Sequence, residues 1–204
     1  MTDLRVDPNI QAELVWVDVE TTGLEHDIDC LLEVGVVLTD RWGTIRTSGT
    51  WIINEPGDKE VIEEFLLKAE PDNYVLNLHQ RSGLWKAWAA GHGKSLKETQ
   101  GLILDFLSRE RLTPGVSPMC GSSVLFDRQF LQINMRGWAD WFHYRNIDVS
   151  TIREIARLVN PRIAENEPTK AEIHRPVPDL MDSIALYRYY LDNFFFIPSE
   201  AESV

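Results

Sequence analysis

The sequence predicts an α/β fold of three layers, with a mixed central β-sheet flanked by helices. Strand-like segments come first along the chain, and later strands alternate with segments of helical periodicity. The 204 residues are 44% hydrophobic and 25% charged, which is typical of a folded globule. We therefore expect a single domain over residues 1–204, with its core at about 13–195 and short polar tails at both ends.

The first three strands are predicted to form an antiparallel meander. The first strand covers 14–20 (LVWVDVE) and ends at the turn Thr21-Thr22-Gly23. The second covers 31–39 (LLEVGVVLT), and the third covers 44–53, which is rich in β-branched residues.

Helical spacing starts at Lys59 and is interrupted by two further strands. A short strand is predicted over 116–120, followed by a helix over 125–135. Another strand covers 146–149, after which Ser150 is expected to cap a helix. Apolar residues at steps of four, three and four predict a C-terminal amphipathic helix: Leu180, Ile184, Tyr187 and Leu191.

The charge of the chain is unevenly distributed. The net charge is −12, and residues 1–72 account for all of it with 17 acids and 5 bases. Residues 73–162 carry 12 bases and 7 acids, so the middle of the chain is mildly basic. A chain this acidic ordinarily argues against a nucleic-acid partner.

Cysteine usage and hydropathy indicate the compartment. Cys30 and Cys120 are far apart, which argues against a disulfide framework and a cysteine-based zinc site and favours a reducing compartment. No apolar run approaches the ~20 residues of a membrane span, and the first eleven residues are polar rather than signal-like. We therefore expect a cytoplasmic protein without a membrane partner.

Two acids interrupt the first strand. Asp18 and Glu20 are two residues apart, so their side chains share one face of an otherwise apolar strand. Two such carboxylates repel each other unless a cation lies between them, and oxygen ligands suit a hard divalent metal. The alternative is a solvated strand edge, and Asp58-Lys59-Glu60 repeats the spacing without an apolar context.

Two further candidates lie later in the chain. Asp127 stands at the start of a largely apolar helix, where an acid also stabilises the first helical turn. His174 precedes Asp179 by five residues, at the start of the last helix. His143 and Asp148 repeat that spacing, although a turn or cap explains Asp148. Taken one by one, each motif is explained better by a structural role than by catalysis.

Taken in order, these residues resemble the DEDDh family of 3′→5′ exonucleases, which has a ribonuclease H-like fold. The flanking blocks are similar to those of oligoribonucleases, and they span residues 13–195 in that family's order. They read WVDVETTGL from Trp16, SGL from Ser82, CGSS from Cys120, FHYR from Phe142 and DVST from Asp148.

The resemblance implies a role for each matching position. Two divalent ions, Mg²⁺ or Mn²⁺, would be bound by Asp18, Glu20, Asp127 and Asp179, with His174 as the general base. Short single-stranded oligoribonucleotides would be hydrolysed to nucleoside 5′-monophosphates by two-metal-ion catalysis. Leu24 would wedge against one base and Tyr74, where the family usually has Trp, would stack on the other side. The remaining substrate-binding positions are His79, Ser123, Tyr144, Arg145, Ser150 and Thr151, and a homodimer would supply the tyrosine in trans.

The last motif departs from the family pattern. The family usually has His-x-Ala-x-x-Asp, whereas this chain has His174-Arg175-Pro176-Val177-Pro178-Asp179. The two prolines fix φ and either preorganise His174 or displace it.

Two alternatives follow from the same residues. One is a DEDDh exonuclease of ribonuclease T-like or proofreading type, acting on longer RNA or single-stranded DNA. The other is a non-catalytic nucleic-acid-binding relative, motivated by the prolines beside His174. The net charge favours short substrates, because affinity for long polyanions increases with the number of phosphates that a protein neutralises.

Overall fold

The structure is a computed structural model that describes residue 7 and residues 9–70, 72–171 and 173–195. The chain ends that were predicted to be polar tails lie mostly outside the described residues.

A five-stranded sheet has the spatial order β3-β2-β1-β4-β5. The strands are β1 (Leu14–Thr21), β2 (Leu31–Thr39), β3 (Ile45–Ile52), β4 (Met119–Gly121) and β5 (Asn146–Asp148).

The sheet is mixed, as predicted. β1, β2 and β3 pair antiparallel, which confirms the meander, and β4 and β5 run parallel to β1. The parallel pairs require crossovers, and helices provide them. The helices are α1 (Lys59–Lys68), α2 (Tyr74–Ser82), α3 (Leu84–Ala89), α4 (Leu96–Arg109), α5 (Val124–Asn134), α6 (Arg136–Ala139), α7 (Val149–Val159), α8 (Pro161–Ala164) and α9 (Pro176–Asn193).

The central strand β1 is buried on both faces. Because its side chains alternate between the two faces, they contact the helical layer on each side of the sheet. Its odd-numbered valines, Val15 among them, pack with Ile103 of α4 and Phe130 of α5. On the other face, Trp16 packs with side chains of α7 and α9. The predicted three-layer arrangement is confirmed, and it places Asp18 and Glu20 on the α9 face, farther along β1 than Trp16.

The fourth strand begins later in the chain than the sequence predicts. Pairing begins at Met119 rather than at residue 116. Pro118 has no backbone N–H for a ladder, and Val116 is exposed in the preceding turn. The Ser117 hydroxyl instead donates to the carbonyl of Glu13, 2.9 Å away, which anchors the turn to the base of β1.

The predicted cap of α7 was wrong by two residues. Asp148, not Ser150, occupies the N-cap, and its side chain accepts a hydrogen bond from the Ser150 N–H at 2.9 Å. The same Oδ1 atom also accepts from the Ser150 hydroxyl and from the Ser123 N–H, at 2.6 and 3.0 Å. The carboxylate therefore joins the start of α7 to the turn before α5.

In the described part of the chain, no helix is both long and apolar enough to cross a membrane.

We expect Asp148→Ala to lower the free energy of unfolding by about 1–2 kcal/mol, the usual cost of losing an N-cap. Urea denaturation measures this value. Asp148→Asn is the matched control, since its amide oxygen can accept the same hydrogen bonds. An equal loss in both variants would contradict the capping role.

Candidate active site

Three of the predicted carboxylates converge at the carboxyl end of β1. Asp18 and Glu20 project from β1, and Asp179 projects from the first turn of α9. Each offers a ligand oxygen, and these three atoms lie within 4.8 Å of one another. Because α9 packs on the face of β1 that carries both acids, residues about 160 positions apart in sequence meet at one point.

Asp127 reaches the same place from α5, on the opposite side of the strand. It is buried, and its Oδ1 accepts a hydrogen bond from the Val19 N–H at 3.0 Å. Its negative charge helps to raise the pKa of Asp18. Asp127 is therefore a neighbour of Asp18, although it lies outside the set of three converging ligand atoms.

Burial is the largest cause of the pKa shifts in this cluster. It raises the pKa of Asp18 well above its usual range, with repulsion from Asp127 and Glu20 adding to the effect. Burial raises the pKa values of Glu20 and of Asp127 to about 8. It also raises the pKa of Asp179, while His174 opposes that shift. Without a cation, the cluster is therefore stable only when some of its carboxyls are protonated.

A cavity of about 280 Å³ opens over the cluster and contains His174. Larger cavities of about 500 and 560 Å³ lie elsewhere and are lined by none of the predicted site residues. Chemistry rather than size distinguishes the smaller one, whose lining residues are Asp18, Ser122, Ser123, Lys170, His174, Asp179, Asp182 and Ser183.

His79 is buried behind the cluster rather than exposed in the cavity. Its Nε2 is 2.8 Å from the Thr21 carbonyl oxygen, and its Nδ1 is 3.7 Å from Oε2 of Glu20. The ring packs edge-to-face on Trp85. Burial lowers the pKa of His79. As placed, His79 contacts the metal-site candidate Glu20 and has no open path to a substrate.

The two predicted base-contacting residues are exposed. Leu24 is 76% exposed in the loop after β1, and Tyr74 is 68% exposed as the first residue of α2. Asp29 fixes the loop, because its carboxylate accepts from the Thr22 hydroxyl and from the Glu25 N–H, each at 2.9 Å. Apolar groups this exposed are available for contact with another molecule.

Five further predicted substrate-binding residues fall into two groups. Ser123 and Ser150 are adjacent, since the Ser123 N–H donates to the Ser150 Oγ at 3.2 Å, and Thr151 follows on the exposed side of α7. Tyr144 and Arg145 form an exposed pair, with the guanidinium 5.0 Å from the ring centre.

Sequence reasoning missed Glu33, Arg175 and Lys170. Glu33 is 1% exposed on β2, directly opposite Glu20 in the register, and Arg175 forms a two-point ion pair with it. The signal was present, because Glu33 interrupts an apolar strand just as Asp18 interrupts β1. Lys170 lines the cavity and carried no motif that could have identified it.

Comparisons with known proteins agree with this geometry. No family model matches the chain. It is 36% identical over 182 residues to an oligoribonuclease of Streptomyces avermitilis, covering 89% of this chain and 86% of that protein. It is 37% identical over 189 residues to an oligoribonuclease of Azoarcus sp., covering 92% and 96% of the two chains.

Solved structures of low sequence identity share the fold. A zinc-bound E. coli ExoI–ssDNA complex has a TM-score of 0.64 at 12% identity, covering 91% of this chain but 41% of that one. Exonuclease I from Methylocaldum szegediense has a TM-score of 0.54 at 16% identity, covering 90% and 41%. The chain thus spans about two-fifths of these exonuclease I chains. The fold is ribonuclease H-like, and by its sequence similarity the chain belongs to the oligoribonuclease family of 3′→5′ exonucleases.

Proposed function

We propose that this chain is a metal-dependent exonuclease that degrades short oligoribonucleotides to nucleoside 5′-monophosphates by two-metal-ion hydrolysis. The observation that carries the proposal is the carboxylate cluster, in which ligand atoms of Asp18, Glu20 and Asp179 lie within 4.8 Å of one another. Asp127 supplies the fourth acid beside Asp18. Family membership supports the exonuclease activity, and the cluster supports its dependence on metal.

The donor set fits divalent cations. All donors are carboxylate oxygens, which are the hard ligands that Mg²⁺ and Mn²⁺ prefer. In the part of the chain that the structure describes, no lysine or arginine forms an ion pair with any of the four acids. When bound, two such ions would neutralise the cluster and stabilise the charge that develops at phosphorus.

His174 is placed to act as the general base. It lines the same cavity as Asp18 and Asp179, and it is partly exposed there. The backbone of His174 helps to lower the pKa of Asp179, so the proposed base lies close to a candidate metal ligand. The imidazole would take the proton of the attacking water.

The residues that the resemblance assigns to substrate binding would hold the oligonucleotide. Leu24 and Tyr74 offer apolar and stacking contacts that tolerate any base. The terminal phosphate would meet Ser123, Ser150 and Thr151, together with Tyr144 and Arg145, and the guanidinium would add a charge-assisted contact. Any effect of the buried His79 on the substrate would pass through Glu20.

A short substrate suits the electrostatics of the chain. With a net charge of −12, the chain can neutralise few phosphates of a long strand. A dinucleotide needs only the local contacts at the cavity.

A homodimer is part of the proposal. Helix α7 leaves Leu158 and Val159 exposed at 83% and 68%, and Tyr144 is exposed at 73%. A second copy of the chain would cover these apolar side chains and bring Tyr144 to the partner's site.

We expect the metal-free protein to lose stability as the pH rises from about 4.5 to 8. The pKa values of Glu20 and Asp127 are about 8 in the folded protein, above their ordinary values of 4.5 and 3.8. In that window the folded state keeps protons that the unfolded state has released. Each such proton lowers the free energy of unfolding by about 1.4 kcal/mol per pH unit. Thermal unfolding in EDTA measures this slope, and added Mg²⁺ should raise Tm most at high pH.

Glu20→Gln tests whether the pH slope and the Mg²⁺-induced rise in Tm arise from the carboxylate cluster. We expect a shallower pH slope and a smaller Mg²⁺-induced rise in Tm than for the wild type. Glu60→Gln, in the exposed second Asp-x-Glu sequence, is the matched control and should behave like the wild type. An undiminished Mg²⁺ effect in Glu20→Gln would contradict the ligand assignment.

We expect His174→Ala to lower kcat by ~10²–10⁴, the usual contribution of a general base. Steady-state hydrolysis of a labelled dinucleotide with Mn²⁺ measures it. His92→Ala, which removes an exposed histidine outside the site, should leave kcat unchanged. A loss below about tenfold in His174→Ala would show that another group takes the proton.

We expect a 5′-labelled ribodinucleotide to be hydrolysed faster than an RNA of roughly two dozen nucleotides, because few phosphates of the long strand find a cationic partner. A time course with Mn²⁺ or EDTA, using RNA and DNA of both lengths, measures this preference. Equal rates at both lengths would favour the ribonuclease T-like alternative. No hydrolysis of any of the substrates would favour the non-catalytic one.

We expect light scattering at micromolar concentration to give twice the mass of the chain. Mixing two inactive variants tests the tyrosine in trans. Glu20→Gln lacks a metal ligand but keeps Tyr144, and Tyr144→Ala keeps the metal ligand. A mixed dimer contains one complete site, so activity should reappear on mixing; a monomer, or no recovery, would refute the shared site.

A further inference from the structure

The segment that carries His174 has an unusual backbone. His174 has φ 55°, in the left-handed region that a residue with a Cβ seldom adopts. Arg175 is extended, and Pro176 begins α9. The helix has no side-chain hydrogen bond at its N-cap, Arg175. Tertiary contacts must therefore hold His174 in this conformation, because a left-handed non-glycine residue is intrinsically unfavourable.

Arg175 provides one of these contacts. Its Nε donates to Oε2 of Glu33 at 2.6 Å, and its Nη2 donates to Oε1 at 2.5 Å. The Thr50 hydroxyl donates to the same Oε1 at 2.9 Å. Glu33 is 1% exposed, so its charge depends on Arg175 for compensation. The planar guanidinium fixes both the distance and the direction of the chain beside His174.

Pro176 provides the second contact. A Cβ built at Gly35 would lie 2.4 Å from the Cβ of Pro176 and 3.1 Å from its carbonyl carbon. Only glycine at this position leaves room for the proline ring and the start of α9. The proline that departs from the family pattern is therefore packed into a recess of β2, and it does not push the segment away from the sheet.

The strand register places both contacts beside the metal-site candidates. Gly35 is the partner of Asp18 and Glu33 is the partner of Glu20 in the β1–β2 pair. Directly opposed residues of an antiparallel pair lie on the same face of the sheet. Arg175 and Pro176 thus dock on β2 next to the two acids of β1, and His174, which precedes them, lines the cavity.

We propose that Arg175 is a positioning residue, and that Glu33 and Gly35 of β2 form a dock that holds His174 beside the carboxylate cluster. The inference rests on the proposed function, in which His174 is the general base. Two prolines follow His174, and the first of them, Pro176, holds the histidine through β2 together with Arg175. Arg175 also lies near enough to Glu20 to lower its pKa. The test must therefore separate geometry from charge.

Arg175→Lys separates geometry from charge, since lysine keeps the positive charge but cannot form the two-point hydrogen bond of the guanidinium. We expect kcat for a dinucleotide to fall about tenfold or more, because small misplacements of a catalytic group are costly. KM and the Mn²⁺ dissociation constant should stay within about threefold. Arg46→Lys is the matched control. It changes an arginine of similar exposure, paired with Glu110 at 2.7 Å and away from the cavity, and it should keep kcat.

The same changes in a His174→Ala background show whether the dock acts through the histidine. If it does, Arg175→Lys and Gly35→Ala each lower kcat in the wild type, but by less than about twofold once His174 is absent. An equal loss in both backgrounds, or a loss confined to Mn²⁺ affinity, would overturn the proposal.

An NMR spectrum of the histidine imidazoles tests the dock independently of the proposed function. The His174 imidazole signal, assigned by its absence from His174→Ala, should shift in Arg175→Lys and Gly35→Ala but not in Arg46→Lys. An unshifted signal would overturn the dock whatever the activity. A wild-type protein that hydrolyses no oligonucleotide would contradict the proposed function, while the spectrum would still decide whether β2 holds His174.

Discussion

Repulsion between buried carboxylates is the constraint around which this molecule is arranged. Asp18, Glu20, Asp127 and Asp179 meet at the carboxyl end of β1, where burial disfavours every one of their charges. A folded chain tolerates such a group only with protons or cations to offset the charge. We therefore expect the metal-free fold to be coupled to pH, and in the proposed function the same carboxylates that weaken it would bind divalent ions.

The central position of β1 makes this arrangement possible. Its two faces contribute to two separate cores, with Val15 toward α4 and α5 and Trp16 toward α7 and α9. The strand is therefore fixed from both sides before its acidic end begins. A rigid strand is a more precise support for metal ligands than a loop, because packing on both faces leaves its side chains little freedom.

Glu33 and Arg175 form a second group of charges, on the face of β2 beside the cluster. Glu33 lies opposite Glu20 and adds to the repulsion, and Arg175, which is paired with Glu33, opposes that effect on Glu20. The same arginine ties the chain next to His174 to the sheet. One ion pair thus offsets a buried charge and orders a segment whose left-handed residue is unfavourable by itself. Electrostatic compensation and the position of the proposed base depend on the same contact.

The sequence by itself determined the layers, the order of the meander and the acids of β1. Alternation and helical spacing are local signals, and residues two apart on a strand must share a face. Asp18 and Glu20 could therefore be paired without a structure. The limits of the local signals show at β4 and α7, where Pro118 delayed the strand and Asp148 took the cap expected of Ser150.

The resemblance already named Asp127 and Asp179, and only the tertiary structure decided how the distant residues are placed around β1. Asp179 and Asp127 approach β1 from opposite sides of the sheet, and His79 turns inward to Glu20 while Tyr74 stays exposed. Whether Pro176 displaces the histidine depends on Gly35, a residue 141 positions earlier that has no side chain to signal its role. Such contacts follow from strand register and helix packing across the sheet, and no local pattern of residues encodes them.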